Sequence, residues 1–223
     1  MIMKFKKFFL KVSIAVYICL FLVLSNSYTR INNNGAGGGY EGGGGEGIFG
    51  DSSTIEGYIV KGAGYFLKAD SDIQILLSMM ELQDLNGIDY REMQTVVNSA
   101  LENMNNAKQT YEALIQKAEI TPYNQSVIDI LKNFDYEAFM KSNGLNAPIF
   151  EKVRGFLQDG DITGSFKYTY SRYLEIIVLL DVIRQSIYRY RLPELSIFWR
   201  LNENTAYISF FGSYVARVFA GIS

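Results

Sequence analysis

The chain has 223 residues, with 21 basic and 23 acidic side chains, no His and one Cys. Without His there are no histidine triads, His-ligated zinc or iron sites, or Cys-x-x-Cys-His haem attachment, and a single Cys excludes an intramolecular disulfide framework. At 48% hydrophobic and 20% charged, the composition is that of a globular chain.

Residues 1–27 read as a secretory signal peptide. Lys4, Lys6, Lys7 and Lys11 make a basic start without an acidic residue, Val12–Leu24 is an apolar run of thirteen, and Ser25-Asn26-Ser27 supplies small residues for cleavage after Ser27. Thirteen apolar residues fall short of the roughly 20 that a membrane span needs. The membrane is a partner only if this segment is kept as an uncleaved anchor. Cys19 lies inside the apolar run behind Tyr17-Ile18, which does not suit a lipoprotein site. Cleavage leaves 17 basic against 23 acidic side chains, a net charge of −6, and a mature chain with neither Cys nor His.

Residues 28–52 form a second region, a glycine-rich linker. Ten of the twenty glycines fall between Gly35 and Gly50. Glycine loses the most backbone entropy on ordering, so the stretch is expected to act as a flexible tether. It matches no phosphate-binding fingerprint: Gly35-x-Gly37-x-x-Tyr40 lacks the third glycine, and no Gly-Lys-Ser/Thr follows. The sharper alternative is a tail that docks on a partner through Tyr40, Ile48 and Phe49.

From residue 53 onward the pattern is helical. Ser53-Thr54-Ile55-Glu56 reads as a capping box with Ser53 as N-cap. The helix behind it should run to about Asn86 and stop at Gly87, with Ile55, Ile59, Phe66, Ile73, Leu76, Leu77 and Met80 on its apolar side. Gly57, Gly62 and Gly64 weaken its first half, each by about 1 kcal/mol against Ala. They imply either a close backbone approach or a helix that begins nearer Tyr65. Asp89-Tyr90-Arg91-Glu92 is a second capping box. Behind it Met93, Val97, Ala100, Met104, Ala107, Tyr111, Leu114 and Ala118 alternate in steps of four and three, an unbroken heptad seam. The seam can pack within the chain or support self-association. Glu102, Asn103, Asn105, Asn106, Gln109 and Glu112 should form the wet face.

Thr121-Pro122 is read as N-cap and first residue of a third helix, with Val127, Ile128, Leu131, Phe134 and Phe139 inward and Asn143-Gly144 at its end. Pro148 opens a short fourth helix closed by Gly160. A long helix over about Thr163–Arg191 follows. Its centre, Ile176–Leu180, is apolar on every side and is expected to be covered all round. Pro193 forces a break, and a last helix over about 193–219 turns Ile197, Phe198, Leu201, Ile208, Val215 and Phe219 inward. The connections at 86–89, 119–122 and 159–163 are short, which makes neighbours antiparallel. The expectation for residues 53–223 is an all-α, up-and-down antiparallel bundle of four long helices plus one or two short ones.

Charge is segregated along the chain: net −9 over residues 28–161, net +3 over 162–223. An overall −6 argues against nucleic acid as a ligand. The richest local composition is Tyr168, Tyr170, Arg172, Tyr173, Arg184, Tyr188, Arg189, Tyr190 and Arg191. Tyr and Arg are large, amphipathic and favoured at binding hot spots, so these nine are the candidate partner-binding residues, either as an exposed surface or as core and rim filler. Carboxylates, Lys and Tyr are the general acid–base groups that remain. Asp159-Gly160-Asp161-Ile162-Thr163 loosely suggests a cation loop but lacks the calcium-loop pattern, and Asp161 or Thr163 more simply caps the next helix. Asp70-Ser71-Asp72 reads as a solvated turn of the first helix. Glu175 and Asp181 beside the apolar helix centre are candidates for perturbed ionisation, with ion pairs to Arg172 and Arg184 as the plainer reading. No metal or cofactor is expected, and no motif is specific enough to assign a family. The reading is an exported, non-enzymatic helical-bundle protein that binds a protein or glycan in the cell envelope or outside the cell. The alternatives are a carboxylate-, Tyr- or Lys-dependent enzyme with a pocket between helices, and a carrier of an apolar ligand.

Overall fold

Helix-forming runs punctuated by short polar connections produce an all-α fold. The computed structural model describes residues 54–81, 89–123, 125–133, 135 and 148–219. The expected signal segment and linker, Tyr40, Ile48, Phe49, Ser53, Gly87, Phe134, Phe139 and Asn143-Gly144 lie outside the described residues. Among the described residues six helices follow one another: α1 over Ile55–Glu81, α2 over Tyr90–Ile120, α3 over Gln125–Lys132, α4 over Pro148–Gln158, α5 over Ile162–Tyr188 and α6 over Leu195–Phe219. None of them is long and apolar enough to cross a membrane.

The four long helices form an up-and-down antiparallel bundle in which α1 packs along α2, α2 along α5, α5 along α6 and α6 along α1. The register is fixed by cross-helix contacts. Ser99 on α2 donates to Asp72 on α1 at 2.7 Å, and Asn98 donates to the Tyr188 hydroxyl on α5 at 3.1 Å. The start of α2 therefore lies level with the ends of α1 and α5, and Thr54, ahead of α1, lies at the opposite end. The short helices α3 and α4 sit where α2 ends and α5 begins, against α6 and α5.

All eight heptad-seam residues from Met93 to Ala118 are buried. The seam is filled by α1 and α5 of the same chain, so a second copy can use it only by displacing one of them. The face opposite is drier than its composition suggests. Glu102, Gln109 and Glu112 are exposed, whereas Asn103, Asn105 and Asn106 are half-buried. Asn103 and Asn105 spend their amides on the carbonyls of Ser99 and Leu101.

The helix ends refine the sequence reading. Thr54 caps α1: its hydroxyl accepts from the Gly57 N–H at 3.0 Å. The helix begins at once despite its glycines, and Gly62 shows why. A Cβ there would come within 3.1 Å of the Tyr111 ring on α2, so hydrogen at this position lets the two helices approach. Asp89 caps α2 by accepting from the Arg91 and Glu92 N–H groups at 3.0 Å each. Thr121 is the extended C-cap of α2, and α3 starts at Gln125, so Thr121-Pro122 belongs to the connection and not to a helix start. The described part of α3 ends at Lys132, with Leu131 buried and Val127 and Ile128 packed at the core's edge. Gly160 takes φ +77, the left-handed turn that lets α4 run into α5 within three residues.

Two further expectations are corrected. The centre of α5 is not covered on every side: Leu174, Val178 and Val182, four residues apart, form an exposed strip, with Val178 62% accessible. Each helix of a four-membered ring has only two close neighbours, so an outer strip stays wet whatever its composition. And α5 ends at Tyr188 instead of Arg191. Arg191 N–H bonds the Ser186 carbonyl and Tyr190 N–H bonds that of Ile187, both at 3.0 Å, which is a Schellman closure. The local signal misses it because the left-handed residue, φ 54, is Tyr190 where glycine is usual. In α6, Phe198, Leu201 and Ile208 are buried and Ile197 is partly so, while Tyr207–Phe211, locally strand-like, is helical.

Candidate interaction surface

The nine Tyr and Arg residues of α5 and its C-terminal turn divide by position. Inside the helix, from Tyr168 to Arg184, they are structural. Tyr173 is 1% accessible. Its ring meets Phe66 edge-on at 6.0 Å and Tyr111 at 4.8 Å, and the two phenols are hydrogen-bonded. Burial pushes both hydroxyls well above the ordinary tyrosine range, so they stay neutral. Tyr168 leans on Tyr207 at 5.6 Å and Phe156 at 6.1 Å, with the Arg172 guanidinium 4.9 Å above its ring. Partial burial raises its phenol, offset by the Arg172 charge. Tyr170 is half-buried against the core.

The arginines here are engaged as well. Arg172 pairs with Glu175 at 2.9 Å, and Glu175 also accepts from Arg200 at 2.6 Å, an ionic link between α5 and α6. Arg184 pairs with Asp181, which also accepts from Gln185 at 2.7 Å. Glu175 and Asp181 are thus ion-pair members, the plainer of the two sequence readings.

At the far end of α5 the same residue types face solvent. Tyr188 is 51% and Tyr190 72% accessible, and Arg189 and Arg191 are exposed. The Tyr190 ring meets Tyr90, the first residue of α2, edge-on at 5.5 Å. That contact brings Arg91 to the same end of the bundle. Leu192, Leu195 (72%) and Trp199 continue the exposed apolar surface into α6. Five of the molecule's exposed large apolar or aromatic side chains therefore fall within residues 188–199. Among the described residues, Arg154, Arg172, Arg184 and Arg200 are all ion-paired. Arg91, Arg189 and Arg191 have no carboxylate of the described residues within ion-pair distance.

Sequence reasoning placed Tyr188–Arg191 on this surface but missed Tyr90, Arg91, Leu192, Leu195 and Trp199. Leu195 and Trp199 carried a usable signal, being four apart on α6 and so on one face, with Trp199 turned about 100° from Phe198. Tyr90 and Arg91 carried none, since only the fold sets them beside residue 190.

The carboxylates are arranged differently from the sequence reading. Asp70 lies on a turn of the first helix as expected, but it is not solvated. It lies inside α1, 7% accessible, with Gln74 Nε2 at 3.5 Å, and burial pushes its carboxyl from the ordinary 3.8 up to about 6. Asp72 borders a shallow groove of about 390 Å³ between α1 and α2, lined by Leu67, Lys68, Ser71, Ser99 and Asn103. Asp161 caps α5, accepting from the Gly164 N–H at 2.7 Å. Among the described residues no three Asp, Glu, His or Cys side chains converge as a metal site. Asn204 Oδ1 is buried without a hydrogen-bond partner, while its amide nitrogen donates to the Arg200 carbonyl.

Comparison with protein-family models, with curated proteins and with solved structures finds no significant match to this chain.

Proposed function

We propose that this chain is an exported, non-enzymatic helical-bundle protein that acts as a binding module in the cell envelope or outside the cell. One observation carries the reading: Arg91, Arg189 and Arg191, without a carboxylate partner among the described residues, share one end of the bundle with exposed Tyr188, Tyr190, Leu192 and Leu195. Exposed aromatic and apolar area beside unpaired guanidinium groups is the composition of a binding hot spot, since it gains by being covered and holds donors for a partner's acceptors. The partner class is a protein or glycan. Export rests on the basic, apolar and small-residue succession of residues 1–27.

The test is a pair of captures from native envelope extract, one with the wild type and one with Arg189→Ala/Tyr190→Ala/Arg191→Ala. The reading requires a partner that the wild type retains and the triple variant loses, with both proteins equally folded by circular dichroism. Equal capture by both, or none by either, overturns it. Mass spectrometry of the secreted chain checks export, the expected first residue being Tyr28.

A further inference from the structure

We infer that the arginine-bearing end of the bundle is a receptor for the acidic segment 40–51 of a second copy of this chain, giving head-to-tail association. The inference deepens the binding-module reading and rests on it.

Three observations lead there. The first is chemical complementarity. Residues 40–51 carry Glu41, Glu46 and Asp51 with no basic residue, and among them Tyr40, Ile48 and Phe49. The receiving end presents Arg91, Arg189 and Arg191 with Tyr188, Tyr190 and Leu195. Carboxylate acceptors meet guanidinium donors, and aromatic side chains meet an exposed aromatic and leucine surface. The same end also holds acidic groups, and two of them are occupied. Asp89 accepts from two N–H groups at the α2 start, and Glu194 accepts from Ser196. Glu92 is exposed.

The second observation is where the described chain begins. Thr54 lies at the end of the bundle opposite Arg91 and Tyr190, separated from them by the length of α1, 27 residues or about 40 Å.

The third is reach. Fully extended, a chain covers at most about 3.6 Å per residue. Glu46, eight residues before Thr54, reaches no farther than about 29 Å, Phe49 about 18 Å and Asp51 about 11 Å. Glu41, at about 47 Å, is the only acid of the three that spans the distance. A chain therefore cannot lay this segment on its own arginine end, but another copy can. The two surfaces differ, so the contact is heterologous and propagates.

The experiment is sedimentation velocity on the full chain at protein concentrations on the order of 100 µM, in low salt and in salt on the order of 0.5 M. The expected result is concentration-dependent association in low salt that is lost in high salt. Glu41→Gln/Glu46→Gln/Asp51→Asn and, separately, Arg91→Ala/Arg189→Ala/Arg191→Ala should each weaken it at least about tenfold. Reversing the charges on both sides (Glu41, Glu46 and Asp51 to Arg; Arg91, Arg189 and Arg191 to Glu) should restore it, which a folding defect in either variant would not. Three results overturn the inference: a wild type that stays monomeric in low salt, association unchanged by the acidic-segment variant, or a charge reversal that fails to rescue. If the segment variant changes nothing while the arginine variant abolishes association, another part of the chain is the occupant and the binding-module reading stands. A monomer that floats with anionic phospholipid vesicles through its arginines overturns the inference in favour of a lipid surface.

Discussion

The body of α5 and its C-terminal turn carry nearly the same residues and do opposite things. Around Tyr173 the tyrosines sit between α1, α2 and α6, their rings packed at 5 to 6 Å and their arginines tied to Glu175 and Asp181. Around Tyr190 the same residue types face solvent, touching only the edge of Tyr90 and, through the Tyr188 hydroxyl, Asn98, and among the described residues the arginines have no carboxylate partner. The difference is one of neighbours. In the middle of a four-helix ring a tyrosine's ring is enclosed and its hydroxyl must find an internal partner, whereas past the last turn no helix is left to cover it. Tyr and Arg density therefore locates a helix able to do either job, and axial position selects which.

The sharpest way to break this comparison is to delete one ring from each region. Tyr173→Ala should cost about 3–5 kcal/mol, the range for losing a buried aromatic side chain. Tyr190→Ala should stay within about 1 kcal/mol, because the lost Tyr90 contact is an exposed edge-on one and alanine keeps the same left-handed backbone. Urea unfolding of the two variants decides it, and equal costs would dissolve the distinction.

Asp70 extends the same logic from phenols to a carboxylate. Its folded value, about 6, stands above the ordinary 3.8 because burial disfavours the charged form. A raised carboxyl contributes stability that is fully present below about pH 4 and is lost as pH rises through about 6. That displacement corresponds to about 3 kcal/mol. Asp70→Asn should accordingly stabilise the bundle at pH 7 by up to that amount and flatten stability between pH 4 and 7. Urea midpoints at both pH values test this, and a variant less stable than wild type at pH 7 would show that Asp70 holds a favourable charged contact.

Caps give a smaller effect. Asp89→Ala, which leaves two α2 N–H groups without their acceptor, should cost about 1 kcal/mol in thermal unfolding. Smallest is the exposed end itself: Arg189→Ala/Arg191→Ala should move stability by no more than about 0.5 kcal/mol while removing partner binding. A larger loss of stability would mean that these side chains belong to the structural region after all.

The sequence carried the four long helices, their antiparallel order and the seam on α2, because a 3.6-residue period and short connections act locally and leave few ways to fold back. It misplaced the ends at Thr121 and Tyr190. At Thr121 the chain leaves the helix in an extended conformation, and at Tyr190 the backbone is set by hydrogen bonds to residues three to five positions away, with a tyrosine in the left-handed position where glycine is the usual signal. It also misread Asp70 as wet, since polarity along one helix does not report what the next helix covers.

Segment types, their order and the supply of Tyr and Arg were thus determined by the sequence alone. Which tyrosines are core and which are surface, the burial of Asp70, and the meeting of Arg91 with Arg189 and Arg191 at one end were decided only in the tertiary structure. These depend on the register between α1, α2 and α5, fixed by side chains that lie from 27 to 90 positions apart in the chain, as in Ser99–Asp72 and Asn98–Tyr188. No local pattern encodes contacts at that separation.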